Sequence, residues 1–384
     1  MEKDTRLYLD HQATCPLDQR VFAVMTEHFA GPAANPHSSE HSFGWQAANA
    51  VLAAQEQVAA LIGADTDEIV FTSGATEANN LALRGRDYRE RRKIIVTSIE
   101  HKCVLEAART LELDHGVEVV RLDVDETGVV RLDQLERLAD ENTAVVSVIG
   151  VHNEIGTIQP LAKIADIVSR AGAKLHLDMA QAPMAIDLSD IAPLADSISL
   201  SAHKMYGPMG IGCLYFRREE QESLRPLIVG GGQQAGLRSG TVPVALAAGM
   251  GEAADIVAQS AQERATLREL NERLWQGLQA LPFTVELNGP ALDARHPGNL
   301  NVSFPGYDSR DIIAALQPAV AISSGSACTS GTEEPSYVVR ALGHSIDRAR
   351  SALRLSIGRT TTEDDIALAV GSINDVLNKV ALAA

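Results

Sequence analysis

The stretch Ser197-Ile-Ser-Leu-Ser-Ala-His-Lys-Met-Tyr-Gly-Pro-Met-Gly-Ile-Gly212 decides how this chain is read. An alternating apolar run (Ile198, Leu200) stops at Ser201, and His203 and Lys204 follow on a Gly/Pro-rich turn. That pattern predicts a strand delivering a lysine to a loop tip. A second apolar run, Ile211–Phe216, begins too soon for a crossover helix and predicts an antiparallel strand at the sheet edge. Lys204 is one of seven lysines, and small, apolar and ring residues flank it. Poor solvation depresses the pKa of such an amine and makes it a nucleophile toward a carbonyl. On this stretch alone an ordinary surface lysine fits equally well.

Working outward, strands are predicted at Ile69–Phe71, Lys93–Ser98, Val117–Leu122, Ala144–Ile149, Lys174–Asp178, Asp196–Ser201 and Ile211–Phe216. Helical patterns alternate with them, among them Ala75–Leu83, Val104–Leu111, Leu132–Leu138 and Leu161–Ala171. This alternation predicts an α/β domain with a mainly parallel seven-stranded sheet covered on both faces. A short strand at Leu7–Leu9, a loop over 10–16 and helices near 21–29 and 43–62 precede it. An Ala-rich helical pattern without internal caps fills roughly Val242–Leu281, and shorter strands and helices beyond it predict a smaller α+β domain of about a hundred residues.

The bulk properties narrow the function. The chain has 384 residues, 45% hydrophobic and 22% charged, as in ordinary globular proteins. A net charge of −17 argues against direct nucleic-acid binding, and no basic cluster is denser than Arg89–Lys93. No apolar run approaches membrane-spanning length, and Met1–Arg6 does not resemble a signal peptide. The four cysteines (Cys15, Cys103, Cys213, Cys328) are far apart and match no metal-ligand spacing, so free thiols in a reducing cytoplasm and no metal site are expected.

Polar residues gather at the ends of the predicted strands. Thr72-Ser-Gly-Ala-Thr-Glu-Ala-Asn-Asn80 follows a strand and opens a helix, so its free N–H groups and hydroxyls suit a phosphate; a plain helix cap is the alternative. His101 closes the next strand, at the edge where doubly wound sheets bind ligands. Val151-His-Asn-Glu-Ile-Gly156 and Leu177-Asp-Met-Ala-Gln181 end two more. Asp178 after an apolar strand needs a cationic or N–H partner, and either a protonated pyridine or an internal salt bridge would serve. A phosphate cradle, a cation-accepting carboxylate and a Schiff-base lysine together are what pyridoxal phosphate requires. Farther along, Cys328 sits alone in Ser324-Gly-Ser-Ala-Cys-Thr-Ser-Gly331, where a reactive thiolate fits better than a buried apolar role. Cys213 and, less clearly, Cys103 fit the buried role. Arg354 lies in a strand-like apolar run and calls for a bidentate partner, either a substrate carboxylate or an internal acid.

At this point the motifs match a known group. Tyr8-Leu-Asp-His-Gln-Ala-Thr14, Asn35-Pro-His-Ser-Ser39, Glu100-His101, Asn153-Glu-Ile-Gly156, Ser201-Ala-His-Lys-Met-Tyr-Gly-Pro208, Leu237-Arg-Ser-Gly-Thr241 and Ser324-Gly-Ser-Ala-Cys328 resemble the cysteine desulfurases of the NifS/IscS group, class V of the fold-type I pyridoxal-phosphate enzymes. The resemblance spans nearly the whole chain. It implies a large cofactor-binding domain over residues 13–250 and a small domain from 1–12 and 251–384 carrying the Cys328 loop. It further implies that Lys204 holds pyridoxal 5'-phosphate as a Schiff base, Asp178 pairs with the pyridine nitrogen, His101 stacks on the ring and moves protons, and Gln181 contacts the ring oxygen. Ala75, Thr76, Ser201 and His203 would hold the phosphate, with Thr241 supplied by the partner of a homodimer. Asn35, Asn153 and Arg354 would grip the carboxylate of L-cysteine. Cys328 would take the sulfur as a persulfide, leave alanine, and pass the sulfur to a protein acceptor for iron–sulfur cluster assembly or thiolation. Selenocysteine lyase or related class V aminotransferase activity is the alternative within this fold. A weakly catalytic partner in a sulfur-relay complex is the alternative of another class. Met209 stands where the group usually has lysine, Met179 and Pro183-Met184 where small residues are common, and Cys15 where threonine is more frequent. The chain ends soon after Ser356-Ile-Gly-Arg359, so scaffold docking through a longer tail is not expected.

Overall fold

A computed structural model describes residues 6–325 and 334–383. In chain order its strands are β1 (Leu7–Tyr8), β2 (Ile69–Thr72), β3 (Lys93–Thr97), β4 (Glu118–Leu122), β5 (Thr143–Ile149), β6 (Lys174–Asp178), β7 (Ser197–Ser201), β8 (Gly212–Phe216), β9 (Glu286–Leu287), β10 (Asn299–Ser303), β11 (Val320–Ala321) and β12 (Ala352–Ser356). Seven form one sheet in the order β2-β8-β7-β6-β5-β3-β4, in which β8 alone runs antiparallel to its neighbours. The helices between the parallel strands (Ala75–Arg84, Lys102–His115, Leu132–Leu138, Leu161–Arg170) cover the faces, as apolar strands buried on both sides require.

The antiparallel strand is real, but its edge position is corrected: β2 lies outside it, with Ile69 opposite Tyr215. Val70, Leu214 and Phe216 bury one face of this pair with Ala78, Leu81 and Ala82 of the following helix. The backbone of Phe71 on the edge strand is closed off by the amide of Gln234, which accepts from its N–H (2.7 Å) and donates to its carbonyl (2.9 Å). A satisfied edge is protected from pairing with another chain. Gly212 and Gly74 make this packing possible. A Cβ on Gly212 would come within 2.7 Å of the Gly74 Cα, so the turn after β2 nests against the start of β8.

The long pattern after residue 242 divides into helices Val244–Ala258 and Ala261–Gln279. At the break, the Ser260 hydroxyl donates to the Val257 carbonyl (2.6 Å) and accepts from Arg264, a local bond that competes with helix continuation. Farther on, β12, β10 and β9 form an antiparallel sheet beside helices Ser309–Leu316 and Glu363–Ala383. β1 pairs in parallel with β11, tying the N-terminal strand to the C-terminal part of the chain. Two short helices, Tyr337–Ala341 and Ile346–Arg350, escaped the sequence reading; Ser336 and Ser345 cap them.

Candidate active site

The strands β2, β3, β5, β6 and β7 run in one direction, so their carboxyl ends converge on one edge of the sheet. A cavity of about 390 Å³ opens there. The turn Ala202–Lys204 directly after β7 places Lys204 on one wall. Its Nζ donates to the carbonyls of Gln12 (2.6 Å) and Ala13 (2.7 Å). Gln181 Nε2 donates to the same Gln12 carbonyl at 2.9 Å, so the lysine and the glutamine after β6 meet across one oxygen. His203 lies against the Thr14 hydroxyl (3.1 Å); burial, reinforced by the neighbouring Lys204 charge, holds it at about 4, so it is neutral at pH 7.

Across the cavity, Gly74 takes φ 149° and starts the helix Ala75–Arg84. A Cβ there would face the Ser201 hydroxyl at 3.9 Å, so the helix start and Ser201 form the two sides of one cradle. Free N–H groups and a hydroxyl around a helix N-terminus are suited to a phosphate. Asp178 ends β6 at 3% exposure and accepts from Asn79 Nδ2 (2.8 Å) and the Ala180 N–H (3.1 Å). His101 caps the helix Lys102–His115, its Nδ1 accepting from the Cys103 N–H (3.2 Å) and lying 3.0 Å from the Cys103 sulfur. Behind it, Glu100 is fully buried and accepts from Thr97 and from the Ile149 N–H. Burial first, and the Asp178 charge second, push its carboxyl up to about 8, so it is a neutral acid beside the Asp178 carboxylate.

Arg354, on β12, closes the last wall at 4% exposure. Its Nη2 pairs with Asp10 (2.6 Å) and its Nη1 donates to the Asn153 carbonyl (2.9 Å); its Nε has no partner among the described residues. Gln12 Nε2, on the opposite lining, is likewise buried and unpartnered. Both residues line the cavity, and a buried donor without a partner is costly.

Of the residues singled out from the sequence, Ala75, Thr76, His101, Asn153, Asp178, Gln181, Ser201, His203, Lys204 and Arg354 all line this cavity. Asn35 does not: it is exposed, and its side chain accepts from the nearby His37 N–H. Thr241 is exposed and also absent from the lining. Cys328 lies outside the described residues. Gln12, Asp10 and Cys103 were not assigned to the site, yet the first and third line it and the second holds Arg354. The signal was the polar run Asp10-His-Gln directly after an apolar strand. Met179 is explained by packing, because its sulfur fills the space over Gly150, where a Cβ would fall 2.2 Å away. Met209 stands 67% exposed at the rim, and nothing in the structure explains it.

Residues 7–368 match the model of the family Aminotransferase class-V. A cysteine desulfurase IscS of Rickettsia akari is 45% identical over 381 residues, covering 97% of this chain and 92% of that protein. A solved NifS-like protein superposes with a TM-score of 0.89 at 34% identity, covering 97% of this chain and 99% of that one. A structure described as SspA in complex with cysteine gives a TM-score of 0.79 at 34% identity, over 93% of this chain and all of that one.

Proposed function

The chain belongs to the class V aminotransferase family and to its cysteine desulfurases, and from that premise we propose that it uses pyridoxal 5'-phosphate to remove sulfur from L-cysteine. The products are L-alanine and a persulfide on Cys328. The observation that carries this reading is the meeting, in one cavity, of Lys204, a helix start backed by Ser201, and the Asp178 carboxylate. These three suit the aldehyde, phosphate and ring nitrogen of that cofactor. The cofactor supplies an electron sink for the carbon bonded to the substrate amine.

The chain's own residues do the rest. Asp178, buried and fed by two N–H donors, keeps negative charge at the ring-nitrogen end. His101, anchored through its Nδ1, presents its ring to the cavity and exchanges protons with substrate. Arg354 and Asn153, both on the cavity lining, hold the substrate carboxylate; Asn35, outside that lining, is assigned to it by the family resemblance alone. Ala75, Thr76, Ser201 and His203 hold the phosphate, with Gln181 on the ring oxygen and Thr241 supplied by a second copy. The bound cysteine in the SspA structure supports L-cysteine as substrate. A homodimer is supported by Phe22, Phe29, Phe43 and Trp45, large apolar side chains left exposed on helices Gln19–Ala30 and Ser42–Ile62. The sulfur passes to a protein acceptor that serves iron–sulfur cluster assembly or thiolation. No helix among the described residues is long and apolar enough to cross a membrane, and the cytoplasm is the proposed compartment. Loading the purified protein with the cofactor and adding L-cysteine tests the reading. Wild type releases alanine, whereas Cys328→Ala keeps the visible band of the lysine-bound cofactor and yields no sulfide. Sulfide release by that variant at the wild-type rate would refute the role of Cys328.

A further inference from the structure

Strands β6 and β7 are buried on both faces, yet alternate positions along them are polar: His176 and Asp178 on one, Ser197, Ser199 and Ser201 on the other. A strand in this place is ordinarily a continuous apolar run. His176 lies directly opposite Ser197 in the register, and the helix Ala75–Arg84 lays Asn79 over them. We propose that Arg86, Ser197, His176 and Asn79 form a one-way relay of hydrogen bonds that ends on Asp178 and holds it as the anion, with Asn79 and His176 as positioning residues. The proposal rests on the reading of Asp178 as the partner of the cofactor's ring nitrogen.

The direction of every link follows from the chemistry of its members. A guanidinium only donates, so Ser197 Oγ accepts from Arg86 Nη2 at 3.2 Å. The Ser197 proton is then free to point at His176 Nδ1, 3.0 Å away. Full burial, with the Arg86 charge adding to it, holds His176 at about 3, so the ring is neutral with a single proton; with Nδ1 accepting from Ser197, that proton sits on Nε2. That proton is donated to Asn79 Oδ1 at 2.9 Å. The carbonyl end of the amide is thereby assigned, and its NH₂ must face Asp178 Oδ2 (2.8 Å) and the Cys103 sulfur (3.2 Å). Every proton in the chain points toward Asp178. Hydrogen bonds aligned in series polarise one another in a low-dielectric interior.

A purely structural account explains this arrangement poorly, since apolar side chains of like volume would serve these buried positions as well or better. The relay also reaches the other side of the ring. Asn79 touches Cys103, which lies 3.0 Å from His101, so one amide ties the residue at the ring nitrogen to the histidine that faces the ring.

The test is the ¹⁵N signal of the pyridine nitrogen in protein loaded with ¹⁵N-labelled pyridoxal phosphate, followed against pH. The relay predicts that His176→Phe lowers the nitrogen's proton affinity about tenfold, the scale known for outer partners that orient a metal ligand. kcat falls by a like factor, KM for cysteine stays within about twofold, and His176→Gln, which restores one donor and one acceptor, recovers most of both. Should His176→Phe not fold, Ser197→Ala removes a single oxygen and is predicted to shift the titration in the same direction. A nitrogen titration in the folded variant identical to wild type overturns the relay. Asp178→Asn separates the two claims: if it too leaves the nitrogen unchanged, the reading of Asp178 fails and the relay with it.

Discussion

Replacing Arg354 with glutamine is the sharpest probe of how the substrate is held. The side chain is 5% exposed and already spends Nη2 on Asp10 and Nη1 on the Asn153 carbonyl, while Nε has no partner among the described residues. Arg354 also lines the cavity, and a substrate carboxylate bound to it there gains a hydrogen bond to a charged group, worth about 1.5–3 kcal/mol. Arg354→Gln is therefore expected to weaken L-cysteine binding by roughly 10- to 150-fold. The loss of structure is smaller: Asp10 keeps 21% side-chain exposure and can be solvated once its cation is gone, so stability falls by about 1–2 kcal/mol. Binding is best read as the change of the cofactor's visible band, in a Cys328→Ala background so that no sulfur leaves. Cysteamine, which is cysteine without the carboxylate, supplies the control. Wild-type binding site and substrate should discriminate cysteine over cysteamine by the same factor that the substitution removes, and the variant should discriminate little. Equal discrimination with and without the guanidinium would refute the carboxylate assignment.

Other consequences follow from single residues. Lys204→Ala should abolish the visible band of the bound cofactor while leaving the far-ultraviolet dichroism unchanged; a surviving band would put the Schiff base elsewhere. Gly74→Ala forces a φ of 149° on a residue with a Cβ, a strain of about 1–3 kcal/mol, although Ser201 Oγ at 3.9 Å leaves room for the methyl. Urea unfolding should show that loss, and equilibrium dialysis should show weaker cofactor retention. Glu100 has the opposite sign from most carboxylates. Its folded value near 8 lies above the ordinary 4.5, so the native state keeps a proton that the unfolded chain has released. Stability is lost as pH rises from about 4.5 to about 8, at up to roughly 1.4 kcal/mol per pH unit and on the order of 5 kcal/mol in all. Glu100→Gln should flatten that part of the pH–stability curve, and parallel curves for the two proteins would contradict the neutral acid.

The parts of the site that were legible in the sequence are those fixed by local pattern. Lys204, Asp178 and the turn at Gly74 each follow a strand of the right length, and parallel strands must bring such ends together. What was not legible depends on pairing between distant segments. The place of β8 inside the sheet is set by β2, more than a hundred residues earlier, and by the Gly74–Gly212 contact. Cys103 read as a small apolar residue, and only the fold puts its sulfur between His101 and Asn79. His176 and Ser197 looked like ordinary strand positions; their meaning comes from the cross-strand register and from Asn79 above them. Asn35 and Thr241 carry family motifs yet do not line this chain's cavity. Ser336, whose hydroxyl donates to Glu154, had no local signature at all.

The central claim is that Lys204 and Cys328 serve one reaction. The most direct measurement is single-turnover mass spectrometry of the cofactor-loaded protein after one equivalent of L-cysteine, with alanine quantified in parallel. The account predicts one alanine per site and one added sulfur on the peptide containing Cys328, both lost in Lys204→Ala and the added sulfur lost in Cys328→Ala. Alanine formed at the wild-type rate with no sulfur on Cys328 would contradict it.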